Sequence, residues 1–260
     1  MRALRSTSLA FTLVGACMLQ ACGGSASDSG ATAPGSTESD WVVQSAFDRA
    51  FTVVKGIDYL PFQYKVDGCY ARALYMSMEL ASNGIESNAV FAFAQPGAPL
   101  VVGPIQWGYH VAPMIEVGAA AENAVHTVID PALSTHPITE EQWVTMMGHP
   151  ASELESQRPT MLFVPGSDYA PAEAMADTDH ANFDTPNFND LAPFKSSDIQ
   201  SACGVMHSYL TLEQGSTPDE VLRKQTKLVA RSIALVDALA AKGKLTADLV
   251  FSAESCTQSP

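Results

Sequence analysis

The pattern of apolar residues predicts a buried helix between Cys69 and Asn83. A helix drawn over this run is apolar on almost every side, and such a helix is usually buried. Its apolar residues are Tyr70, Ala73, Leu74, Met76, Met78 and Leu80. Asp67 and Gly68 give a turn signal before the run, and Asn83 followed by Gly84 is typical of a helix C-terminus. Cys69 is therefore predicted to be the first residue of a core helix.

Two further stretches have the spacing of amphipathic helices. Residues 41–54 carry apolar side chains at a helical period. Thr217, followed by Pro218 and two acidic residues, is a helix start signal and predicts a helix over residues 218–242. A short helix is predicted after Thr139, which can cap it. The 218–242 helix should turn its apolar residues inward and its basic residues outward. These basic residues are Arg223, Lys224, Lys227 and Arg231.

Between these helices lie short β-rich runs that Gly, Pro or Asn turns separate. Four of them predict strands of one mostly antiparallel sheet, at residues 88–94, 99–103, 109–117 and 123–130. Another strand is predicted at 161–164. Pro113 has no N–H to donate to a ladder, so it predicts an edge or a bulge in the third run. The helices and strands together predict an α+β fold, in which the buried helix with Cys69 at its N-terminus packs on the sheet.

Composition limits the class of protein. The chain has 260 residues, of which 47% are hydrophobic and 16% are charged. These values suit one globular domain with tails. The formal net charge of −14 argues against binding to nucleic acid or to anionic lipid surfaces, because both require basic patches. Residues 177–184 are acidic, but their spacing is not that of an EF-hand, so no metal site is predicted.

Residues 1–21 have the organisation of a bacterial export signal. Two arginines precede an apolar run at residues 9–19, which is too short to span a bilayer. The run ends in "LQAC", which resembles a lipobox with Cys22 as the lipidated first residue of the mature protein. The alternatives are "VGAC", which ends at Cys17, and ordinary secretory cleavage.

Residues 22–40 are rich in Gly, Ser and Thr and predict a flexible tether, which leaves residues 41–260 as the folded domain. The predicted protein is a lipoprotein at the bacterial cell envelope. The N-terminal lipid is its sole predicted contact with the membrane, and release or secretion is the alternative.

The cysteine count singles out one thiol. Removal of Cys17 and lipidation of Cys22 leave three cysteines in the domain. Export implies an oxidising compartment, where three thiols cannot all pair within one chain. We pair Cys203 with Cys256, with two unpaired thiols as the alternative. Cys69 then remains as a reactive thiol, and the partial positive charge of a helix N-terminus would stabilise its thiolate.

His110 and Asp130 are predicted to meet beside this thiol. His110 lies at the start of one predicted strand, and Asp130 lies at the end of the next. In an antiparallel pair the start of one strand lies beside the end of the other. A thiolate, an imidazole base and a carboxylate that orients it are the groups that nucleophilic acyl transfer requires. The structural alternative is a buried thiol, a hydrogen-bonded strand histidine and an aspartate that serves an Asp-Pro turn.

Three motifs in this order resemble the bacterial protein-glutaminase family, the protein-glutamine deamidases. They are "DGCYARA", "WGYHVAP" and "IDPALSTHPITEEQW", and they place the key positions 41 and 20 residues apart. The resemblance covers residues 61–143, with a weaker similarity near Cys203. It implies a papain/transglutaminase-like fold with its catalytic domain over residues 41–260. It also implies that Cys69 is the nucleophile, His110 the base and Asp130 the residue that orients His110.

The resemblance further implies that the enzyme converts glutamine side chains of proteins or peptides to glutamate and ammonia. The reaction would pass through a thioacyl intermediate and need no cofactor. By analogy with papain-like enzymes, Gln63 is predicted to bind the oxyanion together with the Cys69 N–H, and Trp107 and Tyr109 to wall the substrate slot. A monomer is expected. The alternatives are a transglutaminase or cysteine peptidase that uses the same three residues, and a non-catalytic lipoprotein that binds a partner at the surface.

Overall fold

The computed structural model describes residues 38–118, 124–169, 185–189 and 191–257. The helices in these ranges are α1 Glu38–Lys55, α2 Cys69–Ser82, α3 Glu140–Met146, α4 Ser196–Tyr209, α5 Pro218–Ala241 and α6 Ala253–Thr257, with short 3-10 helices at Glu155–Gln157 and Leu210–Leu212. The predicted signal, Cys22, most of the tether and the acidic residues 177–184 lie outside the described residues. Helix α1 begins three residues before the predicted start of the domain. The pattern of apolar residues locates the first apolar position of a helix and not the polar turn before it.

The strands confirm the α+β fold class. They are β1 Asn88–Phe93, β2 Leu100–Val102, β3 Ile105–Trp107, β4 Tyr109–Val117, β5 Val125–Val128, β6 Thr160–Pro165, β7 Phe194–Lys195 and β8 Leu245–Thr246. Four of them form one antiparallel sheet in the order β5-β4-β1-β6. Strands β7 and β8 form a short parallel pair.

Strand β2 is not part of the main sheet, contrary to the prediction. It pairs with β3 in a two-stranded hairpin, with Leu100 opposite Trp107. Only Gly103 and Pro104 join the two strands, and Gly103 has a φ of 58°. A positive φ at the first position is what a tight two-residue hairpin loop needs. Local turn chemistry therefore pairs β2 with the residues that follow it.

Strand β4 lies in the interior of the sheet, so the predicted edge at Pro113 is wrong. Strand β1 pairs on one side of it and β5 on the other. The carbonyl oxygen of Pro113 accepts a hydrogen bond from the Ile129 N–H at 2.8 Å. The two residues of a hydrogen-bonded antiparallel pair normally exchange both bonds. The side of Pro113 that lacks an N–H therefore points toward Ile129, which follows the last residue of β5. The proline removes no hydrogen bond between β4 and β1.

Both faces of the sheet are buried, because β1 and β4 carry apolar residues at consecutive positions. Alternate residues of a strand point to opposite faces. The face against α2 carries Ala89, Phe91, Val111 and Ile115. The face against α3 and the β2–β3 hairpin carries Val90, Ala92, Ala112 and Met114. Helix α2 is buried over all but two of its 14 residues, as its uniform apolarity predicts.

Helix α5 packs its predicted apolar face inward, but two of its predicted surface charges, Lys224 and Arg231, are partly buried and pair with buried carboxylates. Arg231 donates two hydrogen bonds to the carboxylate of Glu79 on α2, with Nε–Oε1 at 2.7 Å and Nη2–Oε2 at 2.5 Å. The same carboxylate accepts a hydrogen bond from the Tyr59 hydroxyl at 2.6 Å. Glu79 is buried, and a buried carboxylate requires partners of this kind. The ion pair therefore ties α5 to α2.

Helix α4 was not predicted, although its sequence carries the signal. Its buried residues Ile199, Ala202, Cys203 and Met206 recur at helical spacing. The glycine at 204 and the polar residues before the helix obscure this period, because both are typical of loops. Cys203 forms a disulfide with Cys256 in α6 across 53 residues, and Cys69 is a free, buried cysteine.

Candidate active site

Cys69 is the first residue of α2, and the residue before it must be glycine. Gly68 has a φ of 79°, and no described side chain caps the helix. A Cβ at Gly68 would lie 2.7 Å from the ring of Tyr209. Both the backbone conformation and the available space therefore require glycine at this position. The first N–H groups of α2 remain available to a ligand, because a helix cannot pair them internally.

The register of the sheet brings His110 and Asp130 together. His110 is the second residue of β4, and Asp130 follows the last residue of β5 by two positions. His110 Nε2 lies 2.9 Å from Asp130 Oδ2, and each residue is 2% exposed. The other carboxylate oxygen, Oδ1, accepts a hydrogen bond from the Ala132 N–H at 3.1 Å. The Asp130 carboxylate therefore binds the turn at Pro131 through Oδ1 and His110 through Oδ2.

Charge interactions favour the ionised form of both residues. Burial alone would lower the pKa of His110, but the Asp130 carboxylate and the Cys69 side chain outweigh it and raise the pKa to about 9. Burial would raise the pKa of Asp130, but the charge and hydrogen bond of His110 outweigh it, so this pKa is lowered. His110 Nδ1 has no hydrogen-bond partner of normal geometry among the described residues. Because Asp130 occupies Nε2, Nδ1 is the nitrogen that can exchange a proton with Cys69.

The raised pKa of His110 predicts a loss of stability at alkaline pH. A group whose pKa is higher in the folded state stabilises the fold fully below its unfolded pKa, and this contribution is lost as the pH rises through the folded pKa. For His110 this window runs from the ordinary value of 6.5 to about 9. We expect the free energy of unfolding to fall by about 3 kcal/mol across it. Urea denaturation at a series of pH values measures the fall, and His110→Gln should remove it. An equal fall in the variant would assign the effect to other groups.

A cleft of about 190 Å³ opens over Cys69 between residues 65–67 and residues 106–109. Both predicted wall residues line it. The ring of Trp107 stacks on the imidazole of His110, with ring centroids 4.6 Å apart and an angle of 12° between the planes. The indole N–H of Trp107 donates to the carbonyl oxygen of Lys65 at 2.9 Å. Trp107 therefore covers the imidazole and holds the two sides of the cleft together.

Gln63 lies apart from this cleft. Its side chain is exposed and is not among the described residues that line the cleft. Its backbone N–H donates to Glu213 Oε1 at 3.1 Å, and Glu213 forms an ion pair with Lys224 of α5. The loop around Gln63 is therefore anchored toward α5.

Arg72 is bound to the backbone of the loop that precedes α2. Its Nη1 donates to the carbonyl oxygens of Tyr64 at 2.8 Å and Asp67 at 3.0 Å. The side chain is buried, so these carbonyls replace the water that a guanidinium needs. Arg72 thus holds the loop that forms one side of the cleft.

The segment that carries Cys69, His110 and Asp130 has a known counterpart. Residues 43–147 match the glutaminase family model. The model, Gln_deamidase_2, is described as "Glutaminase", and the match spans about two fifths of the chain. It includes all three residues and confirms the resemblance that the three motifs indicated. No curated protein matches the chain.

Three solved structures are similar to this chain, each at 21% identity. A crystal structure of protein-glutaminase has a TM-score of 0.47, over 67% of this chain and 90% of that one. A mutant of pro-protein-glutaminase has a TM-score of 0.47, over 68% of this chain and 61% of that one. The NMR structure of protein-glutaminase from Chryseobacterium proteolyticum has a TM-score of 0.44, over 67% of this chain and 90% of that one. The chain thus spans less than two thirds of the pro-protein.

Trp143 ends the motif "IDPALSTHPITEEQW", but no role was predicted for it. Its indole N–H donates to Asp130 Oδ2 at 2.9 Å, the same oxygen that contacts His110. The signal available in the sequence was a tryptophan in a short capped helix just after Asp130. Within the described ranges, no cluster of three or more His, Cys, Asp or Glu residues could hold a metal ion.

Proposed function

We propose that this protein deamidates glutamine side chains in proteins or peptides and releases glutamate and ammonia. The observation that carries the proposal is the buried His110–Asp130 pair, 2.9 Å apart, which borders Cys69 at the start of a buried helix. Acyl transfer from an amide requires a thiol, an imidazole and a carboxylate in this arrangement. The glutaminase family match over residues 43–147 supports glutamine as the source of the amide.

The reaction begins when the Cys69 thiolate attacks the carbon of the substrate carboxamide. The imidazolium of His110 gives the proton on Nδ1 to the departing nitrogen, the C–N bond breaks and ammonia leaves. Water then attacks the remaining thioester and returns a proton to Nδ1. The C–S bond breaks, and glutamate leaves as the thiolate forms again. Asp130 holds the proton on Nε2 throughout, which keeps Nδ1 as the nitrogen that works on the substrate.

The negative charge that develops on the carboxamide oxygen requires N–H donors. The backbone N–H of Cys69 is the first candidate, because it lies at the uncapped N-terminus of α2. Gln63 is assigned this role by its spacing alone, and its exposed position outside the cleft gives the assignment no support. Trp107 and Tyr109 are proposed to form the walls of the substrate slot.

The product of the reaction tests the proposal. We expect ammonia release from casein, a glutamine-rich protein, with conversion of glutamine to glutamate in its peptides by mass spectrometry. An isopeptide crosslink to an added amine would identify a transglutaminase, and a new N-terminus would identify a peptidase. Absence of all three products, together with no reaction of Cys69 with iodoacetamide at neutral pH, would support a non-catalytic binding protein.

We further propose that the substrate is glutamine within a polypeptide. Free glutamine would bring two additional charges to the mouth of the cleft. The charged residues there are the half-buried Lys65 and the exposed Asp67, and ion pairs with such side chains contribute little. Glutamine inside a peptide has neither charge to desolvate. Asparagine is one methylene shorter, so its carboxamide would not reach the thiol.

We therefore expect kcat/KM for a blocked Gly-Gln-Gly peptide to exceed that for free glutamine by about a hundredfold. Ammonia release from the peptide, from its asparagine analogue and from free glutamine measures the difference. Lys65→Gln is the matched control, because it removes the cation that could hold an α-carboxylate. Equal rates on free and peptide-bound glutamine would contradict the prediction. If Lys65→Gln loses activity on free glutamine but keeps its activity on the peptide, Lys65 binds free glutamine.

We also propose that the protein is a lipoprotein held at the cell envelope through Cys22, and that it acts as a monomer. Among the described residues, no helix combines the length and apolarity needed to cross a bilayer. We expect Cys22→Ala to move the protein from the membrane fraction to the soluble fraction, because the lipid would be its anchor. Fractionation after a carbonate wash measures this shift. Retention of the variant in the membrane would argue for a different anchor.

A further inference from the structure

Helix α3 places the ring of Trp143 against the His110–Asp130 pair. The indole N–H donates to Asp130 Oδ2 at 2.9 Å. The indole and imidazole rings also contact each other, with centroids 5.5 Å apart and an angle of 32° between the planes. Trp143 has no exposed surface. It is also absent from the described residues that line the cleft over Cys69, so it contacts the pair from the protein interior.

The position of Trp143 is set by the structure around it. Thr139 and Gln142 form a capping box at the start of α3, which fixes where the helix begins. The residue before this cap, Ile138, exchanges two backbone hydrogen bonds with Val128, at 2.8 Å and 3.2 Å. Val128 is the last residue of β5, two positions before Asp130. Trp143 and Asp130 are therefore anchored to the same strand end.

We propose that Trp143 is a positioning residue that holds the Asp130 carboxylate, and through it the imidazole of His110, in the orientation that catalysis needs. The carboxylate accepts a hydrogen bond on Oδ1 from the Ala132 N–H, and its Oδ2 contacts His110 and Trp143. Three contacts fix both the place and the plane of a carboxylate. Without the indole, Oδ2 keeps one partner, and the carboxylate can turn about the remaining bonds.

This inference rests on the roles proposed above for His110 and Asp130. The ionisable groups that act on the pair from neighbouring elements are Cys69 and Arg72, both on α2. Replacement of Trp143 leaves both of these groups in place. A change in the titration of His110 would therefore report on the geometry of the His110–Asp130 contact.

The test compares Trp143→Phe with Phe163→Leu. The first variant keeps an aromatic ring and removes the N–H donor. The second removes volume from the same buried cluster and has no polar contact to lose. We expect Trp143→Phe to lower kcat about 10- to 100-fold, the range for a hydrogen bond to a charged group, with KM unchanged. We expect Phe163→Leu to lower the unfolding temperature and to leave kcat unchanged.

Direct titration of His110 by NMR separates positioning from packing, and it does not depend on the assay for deamidation. If the carboxylate turns away in Trp143→Phe, the imidazolium loses its partner and its pKa falls from about 9 toward the ordinary value of 6.5. An unchanged pKa would show that Trp143 is only structural. A higher pKa of His110 would show that the indole N–H only reduces the negative charge on Asp130 and does not orient the carboxylate. Either result overturns the proposal.

A measurement on the wild-type protein tests the inference even if Trp143→Phe does not fold. The chain has three tryptophans, so the indole N–H signals can be assigned singly. We expect the Trp143 signal to shift through the pH range in which His110 titrates, because both bind the same carboxylate oxygen. His110→Gln is the control, because it removes the titrating imidazole and the shift should then disappear. A Trp143 signal that stays constant through this range, or that moves equally in His110→Gln, would contradict the inference.

Discussion

Cys69→Ser should abolish ammonia release while the fold is retained. We expect kcat to fall by about a thousandfold or more, because a serine hydroxyl is far less acidic than a thiol and is a poor nucleophile at neutral pH. Cys69 is buried and forms no disulfide, so serine replaces it with nearly the same volume. The unfolding temperature should therefore change little. Steady-state ammonia release and thermal unfolding measure the two effects.

Ser77→Ala is the matched control for this variant. Ser77 lies on the same helix, is buried, and its hydroxyl has no hydrogen-bond partner among the described residues. Removal of this hydroxyl should leave kcat unchanged, because a buried group without a partner has no bond to lose. Ammonia release by Cys69→Ser at the wild-type rate would exclude Cys69 as the nucleophile.

Asp130→Asn should lower kcat about ten-thousandfold, as the same change does in a comparable triad. An asparagine can offer its N–H group to His110 Nε2, which would move the imidazole proton to Nδ1. The nitrogen that must exchange a proton with Cys69 would then be blocked in the resting enzyme. NMR of the imidazole nitrogens should show this change of tautomer, and ammonia release should show the loss of activity.

Asp58→Asn provides the control for Asp130→Asn. Asp58 forms an exposed ion pair with Lys227 at 2.5 Å, and exposed ion pairs contribute little. The same change of charge should therefore leave both kcat and the His110 tautomer unaltered. Full activity in Asp130→Asn, with the proton still on Nε2, would show that Asp130 serves the turn at Pro131 and does not orient the histidine.

The contact between His110 and Asp130 could be predicted from sequence because it depends on strand order alone. Two consecutive strands joined by a short connection pair as antiparallel neighbours, which places the start of one beside the end of the other. Helix α2 was predictable for a similar reason, since its uniform apolarity and its end signals are local. The predicted edge at Pro113 failed because a proline within a strand does not reveal which side its missing N–H faces.

Long-range contacts were not predictable in this way. In the sequence, Arg72 cannot be distinguished from any other charged residue on a helix. Its carbonyl partners lie in a loop of irregular conformation, which no local pattern predicts. Gln63 has the spacing of an oxyanion donor, and its N–H contacts Glu213, 150 residues later. Neither hydrophobic periodicity nor a sequence motif indicates which distant residues these groups contact.

By itself, the sequence determined the α+β class, the helix that begins at Cys69, the strand order that pairs His110 with Asp130, and the resemblance to the glutaminase family. Hydrophobic period, turn residues and motif spacing encode these features locally. Only the tertiary structure decided that Trp143 reaches Asp130, that Trp107 stacks on His110 and that the Gln63 N–H contacts Glu213. These contacts depend on how separate elements pack, because Trp107 lies in β3 and His110 in β4, and Trp143 reaches Asp130 from α3.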